Sequence, residues 1–297
     1  MFVRSDFSLG SDVINERTEP LTLFDKSNGN CTSIGLKYLY SMLAHGMKDE
    51  YSVPIPHDKT ITLKNLLGRG ATSNVYEILL ENNVYAMKMC NSIQNIGFIE
   101  YEKSVLEQLS GFPNIPTIIT SDTHSITFPV YKPIGFDEML SKNNMLALVD
   151  LLRKIHEKNI CHRDLRPENI LLDNDQNVVL IDWGYAVGSL LTTKFAGTAS
   201  FCAEKYASNW LLDYDATYHP RYDCESLLKC FYYLKDIALR LELLQLSHHN
   251  QNDRMKLAIG VWKSVTDETF RACLHEIRNG EMYDALKNFI NVDEMEY

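Results

Sequence analysis

Two short motifs at a fixed separation constrain this chain more than anything else in it. The first is Cys161-His162-Arg163-Asp164-Leu165-Arg166-Pro167-Glu168-Asn169, which runs into the apolar Ile170-Leu171-Leu172. The second is Val178-Val179-Leu180-Ile181, which ends in Asp182-Trp183-Gly184. Asn169 follows Asp164 by five residues, and Asp182 follows Asn169 by thirteen. Short apolar runs read as strands, so the polar residues fall on rigid loops between them.

Charge narrows the partners. The formal net charge is −10, which argues against broad binding to nucleic acid or to anionic membranes, since both need a basic surface. No apolar run reaches the ~18 residues of a membrane helix. Arg4 is not followed by an apolar stretch, so a secretory leader is not expected. The seven cysteines (Cys31, Cys90, Cys161, Cys202, Cys224, Cys230 and Cys273) are odd in number and lack C-x-x-C spacing. They are expected as reduced thiols filling a core, in an intracellular setting, cytoplasmic or nuclear. A hydrophobic content of 45% is ample for that core.

Residues 1–57 are expected to be an N-terminal extension. Thr32 or Ser33 caps a predicted helix to about Met47, with Ile34, Leu36, Tyr38, Leu39, Met42 and Leu43 on its apolar side. That helix either packs on the neighbouring domain or serves regulation or targeting. Pro54, Pro56 and His57-Asp58 then break the chain. Thr60–Leu67 predicts a strand, followed by Gly68-Arg69-Gly70-Ala71-Thr72-Ser73-Asn74-Val75. Glycines let backbone N–H groups approach a phosphate closely, and a plain hairpin turn explains them as well. Val84–Met89 predicts a strand with one lysine, Lys88, which either faces water at an edge or meets an anion.

Phe98, Tyr101, Val105, Leu106 and Leu109 mark the apolar stripe of a predicted helix. Glu102 falls inside the stripe, whereas Glu100 and Glu107 lie elsewhere. An inward carboxylate needs a cation, and Lys88 is the obvious one. Ile115–Ile119 and Ser125–Tyr131 read as the remaining strands of a small sheet. Lys132-Pro133-Ile134-Gly135 reads as a hinge, with Val130 at the back of the pocket beside it. Met145–Glu157 is a largely apolar helix leading to Asp164. His248-His249 lacks spaced acidic or cysteine partners, so a metal site is not expected there.

These segments, in order over about residues 60–240, resemble the eukaryotic-type protein kinases. His162–Asn169 is similar to H-R-D-x-x-x-x-N, Gly68–Val75 to the Gly-rich loop with Ser73 as its third small residue, and Lys88 to the strand lysine of V-A-I-K. Trp183 stands where D-F-G has Phe, as in casein kinase 2. The resemblance implies an α+β, bilobal fold. Its N-lobe, residues 58–131, would hold a five-stranded antiparallel sheet with one helix, and residues 136–297 a larger helical C-lobe. ATP would be bound by Gly68, Gly70, Ser73, Val75, Ala86 and Lys88, with Glu102 holding Lys88. Asp164 would be the catalytic base, and Asn169 and Asp182 the Mg²⁺ ligands. Arg166 replaces the usual lysine and would reach the γ-phosphate.

Gly197-Thr198-Ala199-Ser200-Phe201-Cys202-Ala203-Glu204 is similar to G-T-x-x-Y-x-A-P-E, one residue short and without the proline. Thr198 would help position the base, and Glu204 would pair with an arginine, for which Arg271 is the expected candidate. Arg163 would meet a phosphate on the loop 185–196, where Thr192 and Thr193 lie; activity without that phosphate is equally compatible. Arg221-Tyr222-Asp223-Cys224-Glu225-Ser226-Leu227 opens a helix expected to run to about Leu244. This segment and the missing proline resemble the casein kinase 1 and vaccinia-related kinase branch, in which the aspartate supports the catalytic loop. The implied activity is ATP-dependent phosphorylation of Ser or Thr in protein substrates. A small-molecule phosphotransferase of the aminoglycoside- or choline-kinase type and a pseudokinase binding module are the alternatives. The oligomeric state and the substrate are not readable from the sequence.

Overall fold

The computed structural model describes residues 51–55, 59–135, 138–212 and 214–292. The expected helix over 32–47 lies outside them. Among the described residues, no helix is long and apolar enough to cross a membrane.

The N-terminal part is one antiparallel sheet of six strands, not the five expected. In chain order these are β1 (Tyr51–Ile55), β2 (Lys59–Arg69), β3 (Ser73–Leu80), β4 (Asn83–Cys90), β5 (Thr120–Ser121) and β6 (Ser125–Pro129), arranged β1-β2-β3-β4-β6-β5. β1 is the extra strand. It pairs with β2 from Tyr51↔Leu63 to Ile55↔Lys59, so Pro54 lies within an edge strand rather than breaking the chain. The expected strand at 115–119 is absent, and only Thr120–Ser121 pairs with β6.

Alternation gives the sheet two faces. Ile61, Leu63, Tyr76, Ile78, Leu80, Met87 and Met89 form an apolar cluster on one. The opposite face carries Val75, Ala86 and Lys88, because Val75 pairs with Lys88, and Ala86 with Glu77 and Phe128. Helix α1 (Ile96–Gln108) buries Ile99, Glu102, Val105 and Leu106. Phe98 and Tyr101, expected on the buried stripe, are exposed instead and turn toward the loop after Asp182.

Lys132–Pro133 forms β7, which crosses into the second lobe by pairing with β9 (Ile170–Leu172), the strand after Asn169. β8 (Ile160–Cys161) enters the stretch His162–Asn169; β10 (Val178–Leu180) pairs with β9 and delivers Asp182. β11 (Val187–Gly188) pairs back onto β8, and β12 (Thr192–Thr193) onto β13 (Ala216–Thr217). Two strand pairs therefore clamp the polar loops from either side.

The helices of the second lobe are α2 (Lys142–Glu157), α3 (Glu204–Leu211), α4 (Pro220–Lys235), α5 (Ile237–Gln245), α6 (Gln251–Ser264), α7 (Glu268–Asn279) and α8 (Met282–Val292). α4 is buried all round, every residue from Tyr222 to Leu234 included, and forms the axis on which the loops rest. The single helix expected to Leu244 breaks at Asp236. Its carboxylate accepts the Leu239 N–H at 2.9 Å, capping α5, while the Arg240 guanidinium covers the last carbonyls of α4, Tyr233 and Leu234.

Candidate active site

The face of β4 presents Lys88 inward, 8% exposed. Its Nζ lies 2.6 Å from Glu102 Oε2 and 2.6 Å from Asp182 Oδ1. Three ionisable groups, far apart in sequence, thus share one point. Glu102 Oε1 also accepts the Trp183 N–H at 3.2 Å, which ties α1 to the second motif. Tyr101 adds a second tie by donating to the Ala186 carbonyl at 2.8 Å.

The charges tune one another. Burial works against the Lys88 cation, but Asp182 and Glu102 outweigh it and hold the ammonium's pKa above the usual lysine range. Burial also pushes the Asp182 carboxyl up; the Lys88 charge and hydrogen bond prevail and hold it below the ordinary aspartate value. For Asp164, burial and the nearby Asp182 charge prevail, and its carboxyl is raised. Two neighbouring aspartates are therefore driven in opposite directions, the pattern expected of groups with different tasks.

Asp164 is held at both oxygens. Oδ1 accepts the Thr198 N–H at 2.7 Å, and Oδ2 accepts from Asn169 Nδ2 at 3.2 Å; the same Nδ2 donates to the Asp164 carbonyl at 2.8 Å. Arg166 donates from Nη1 to Thr198 Oγ1 at 3.0 Å and from Nε to Glu168 Oε2 at 2.8 Å. Thr198 thus binds Asp164 through its backbone and Arg166 through its hydroxyl. Asp182 has left-handed backbone angles, φ 66 and ψ 66, an uncommon conformation for a non-glycine residue. Trp183 beneath it is fully buried, donates from Nε1 to the Leu180 carbonyl at 2.8 Å, and meets the His162 ring edge-on at 4.5 Å.

Asp223, at the start of α4, supports the loop from below. Its carboxylate accepts the backbone N–H groups of His162 at 2.6 Å and Arg163 at 3.0 Å, together with the Tyr218 hydroxyl at 2.8 Å. His156 Nε2 lies 3.1 Å from the same group. His156, Cys161 and Asp223 are close enough to suggest a metal trio. The hydrogen bonds to Asp223, and that of Tyr283 to His156 Nδ1 at 2.7 Å, already account for the His and Asp atoms.

The Gly-rich turn is held by a residue that the sequence did not single out. Asn91 donates from Nδ2 to the carbonyls of Gly70 at 3.3 Å and Ala71 at 3.0 Å, and its backbone N–H reaches the Thr72 carbonyl at 3.0 Å. Gly70 donates its own N–H to the Ser73 carbonyl at 2.8 Å, and a Cβ on Gly70 would sit 3.2 Å from that oxygen. A Cβ on Gly68 would meet nothing. Ser73 is buried, opposite Cys90. Phe128, rather than Val130, stands opposite Ala86 and is buried; β6 ends before Val130.

Glu204 finds its arginine one heptad beyond the expected position. Arg278 Nη2 lies 3.0 Å from Glu204 and 3.1 Å from Glu225, and Lys263 reaches Glu204 at 2.7 Å. Arg271 instead donates from Nε to the Val265 carbonyl at 2.7 Å. Residues 271 and 278 share a helix face two turns apart, and periodicity alone does not choose between them.

Comparison with known proteins follows the same lines. The family model for the protein kinase domain matches residues 61–234. Serine/threonine-protein kinase PKH3 of Eremothecium gossypii is 30% identical over 180 residues, covering 49% of this chain and 24% of that protein. The liver/testis gamma catalytic chain of phosphorylase b kinase from Rattus norvegicus is 28% identical over 149 residues, covering 41% of this chain and 37% of that one. The chain therefore aligns with well under half the length of these relatives. Vaccinia related kinase 3 shares the fold, with a TM-score of 0.57 at 16% identity over 86% of this chain and 94% of that structure.

Proposed function

The chain belongs to the protein kinase family, and on that premise we propose that it transfers the γ-phosphoryl group of ATP to Ser or Thr hydroxyls of protein substrates. The observation that carries this reading is the shared point of Lys88, Glu102 and Asp182, with Nζ 2.6 Å from each carboxylate. That arrangement sets a cation beside a metal-binding carboxylate on the sheet face that also carries Val75 and Ala86.

The adenine and phosphates of ATP would lie against the turn from Gly68 to Ser73 and against Val75 and Ala86, with Lys88 anchoring phosphate oxygens. Asp164 takes the role of base; Oδ1 accepts the Thr198 N–H at 2.7 Å, whereas the contact of Oδ2 with Asn169 is longer, 3.2 Å, and leaves it the more available oxygen. Arg166 supplies positive charge beside it. The donor set fits a hard divalent cation such as Mg²⁺. Asn169 spends its Nδ2 on Asp164, which leaves the amide oxygen, and Asp182 keeps Oδ2 beyond its contact with Lys88. When bound, such a cation would neutralise phosphoryl oxygens. Lys88, Asp164, Asn169 and Asp182 are all present, which speaks against a pseudokinase. The buried cysteine thiols fit a reducing, intracellular compartment.

The test is transfer of radiolabelled phosphate from Mg²⁺·ATP to acidic and basic model proteins, beside aminoglycosides and choline, by wild type and Asp164→Asn. Transfer to protein that Asp164→Asn loses is expected. Transfer confined to the small molecules, or equal transfer by both proteins, would overturn the reading.

A further inference from the structure

We propose that Tyr206 is a positioning residue whose hydroxyl fixes the Arg163 guanidinium, and through it the segment leading to Thr198, so that this loop is ordered without phosphorylation. The proposal rests on Asp164 acting as the base of a phosphoryl transfer. Sequence reasoning offered Arg163 to a phosphate on Thr192 or Thr193. In the structure its donors are directed to the chain itself. Nη2 donates to the Tyr206 hydroxyl at 2.8 Å and to the Lys194 carbonyl at 2.6 Å, and Nη1 to the Tyr185 carbonyl at 3.4 Å. The guanidinium also stacks 5.7 Å from the Tyr218 ring centre.

The Tyr206 phenol is used to capacity. It accepts from Arg163 and from the Ala196 N–H at 3.3 Å, and it donates to the Lys194 carbonyl at 3.1 Å. Its ring is 2% exposed and wedged edge-on against Tyr218 at 4.9 Å, so the hydroxyl has one place to be. Residues 194 and 196, both held by this one oxygen, are followed by Gly197 and then by Thr198, whose N–H binds Asp164. On the other side, Arg163 adjoins Asp164 directly and is pinned through its own N–H by Asp223. A phosphate at this point would order the loop by charge; the phenol orders it by three hydrogen bonds.

Neither threonine hydroxyl is among the partners of the Arg163 guanidinium. Thr192 pairs its hydroxyl with that of Thr217 at 3.1 Å across the β12–β13 pair. The Thr193 hydroxyl is buried and without a hydrogen-bond partner, shielded from a modifying enzyme. Arg163 Nε is likewise buried without a partner, and the clamp holds through Nη1 and Nη2.

The experiment combines phosphatase treatment of the wild-type protein, which needs no variant, with Tyr206→Phe, which keeps the ring and removes one oxygen. Wild type treated with a broad-specificity protein phosphatase is expected to keep its activity, as is the double variant Thr192→Ala, Thr193→Ala. Tyr206→Phe is expected to lower kcat about 10- to 100-fold, the loss of a hydrogen bond to a charged group, with ATP KM unchanged. The Ala196 amide should exchange faster in that variant while amides of α4 do not. A double variant with Arg163→Met should lose less than the sum of the two single losses, because the Arg163–Tyr206 bond is counted in both, while the bonds of Tyr206 to Ala196 and Lys194 remain to be lost. Activity abolished by phosphatase, or full kcat in Tyr206→Phe, would overturn the proposal. If the wild type transfers no phosphate at all, the functional reading fails. Ala196 exchange then judges the clamp alone: faster exchange in Tyr206→Phe supports it and unchanged exchange overturns it.

Discussion

Gly197 passes so close to Arg163 that a Cβ placed on it would run into the Arg163 carbonyl oxygen. Its φ of +101 lies where side chains are strained in any case, and the same Cβ would sit 3.4 Å from Asp164 Oδ1. The loop carrying Thr198 can therefore approach Asp164 only because position 197 lacks a side chain. Gly197→Ala is expected to cost about 1–3 kcal/mol in stability and to lower kcat further by displacing the Thr198 N–H from Asp164. Gly260→Ala in α6, where a Cβ meets nothing, is the control, expected to be neutral or stabilising by up to about 1 kcal/mol. Denaturant melts and initial rates of the two variants check this; equal behaviour would refute the close-approach argument.

Asn91 ties down the turn after Gly70 through two carbonyls and lies outside the Lys88–Asp164 centre. Asn91→Ala should loosen that turn and raise ATP KM about three- to tenfold, from the loss of hydrogen bonds worth about 1 kcal/mol each, while kcat at saturating ATP stays near wild type. A fall in kcat at unchanged KM would place its role elsewhere.

Much of the site was legible in sequence because its chemistry is written in residue types that rarely survive burial without partners. Lys88 in an apolar strand and Glu102 in an apolar stripe each demanded an opposite charge, and each found the other. The details missed depend on three-dimensional register. Phe98 and Tyr101 have the spacing of core residues, yet they face the loop after Asp182, which a one-dimensional stripe does not contain. The break at Asp236 hid inside continuous apolar periodicity, because one capping carboxylate decided it. β1 was missed because Pro54 reads as a breaker, whereas an edge strand tolerates proline.

Asp223 gives the molecule a pH dependence of stability with a definite sign. Burial pushes its carboxyl up, but the His156 contact and the charge and backbone N–H of His162 prevail and hold it below the ordinary aspartate value. A group whose pKa is depressed on folding stabilises fully above its unfolded pKa of about 3.9 and loses that contribution as pH falls through the folded value. Asp223→Asn is expected to lose about 3 kcal/mol at pH 7, since the donors beneath the loop lose a buried anion. The gap between wild type and variant in Tm should stay constant from neutral pH down to about pH 5 and narrow below about pH 3.9. A gap that widened on acidification would reverse the sign and exclude Asp223 as the source.

Arg278 and Arg271 offer a sharper comparison, because the two arginines lie one heptad apart on α7 and differ in what they hold. Arg278 joins Glu204, at the start of α3, to Glu225, which is 3% exposed on α4. Removing it leaves the buried Glu225 carboxylate with Lys229, at 3.1 Å, as its remaining cation beside the Glu204 N–H at 2.8 Å, while Lys229 also serves the Cys202 carbonyl. Arg278→Ala should therefore cost about 2–4 kcal/mol and loosen the segment from Ala199 to Glu204 that follows Thr198. Arg271 donates to the Val265 carbonyl and pairs with no carboxylate among the described residues, so Arg271→Ala should cost no more than about 1.5 kcal/mol. Adding Glu225→Gln should recover part of the Arg278→Ala loss, because it removes the stranded charge, and should recover nothing in Arg271→Ala. Urea denaturation of the four variants measures these differences, and equal losses for the two arginines would remove Arg278 from its place as the partner of Glu204.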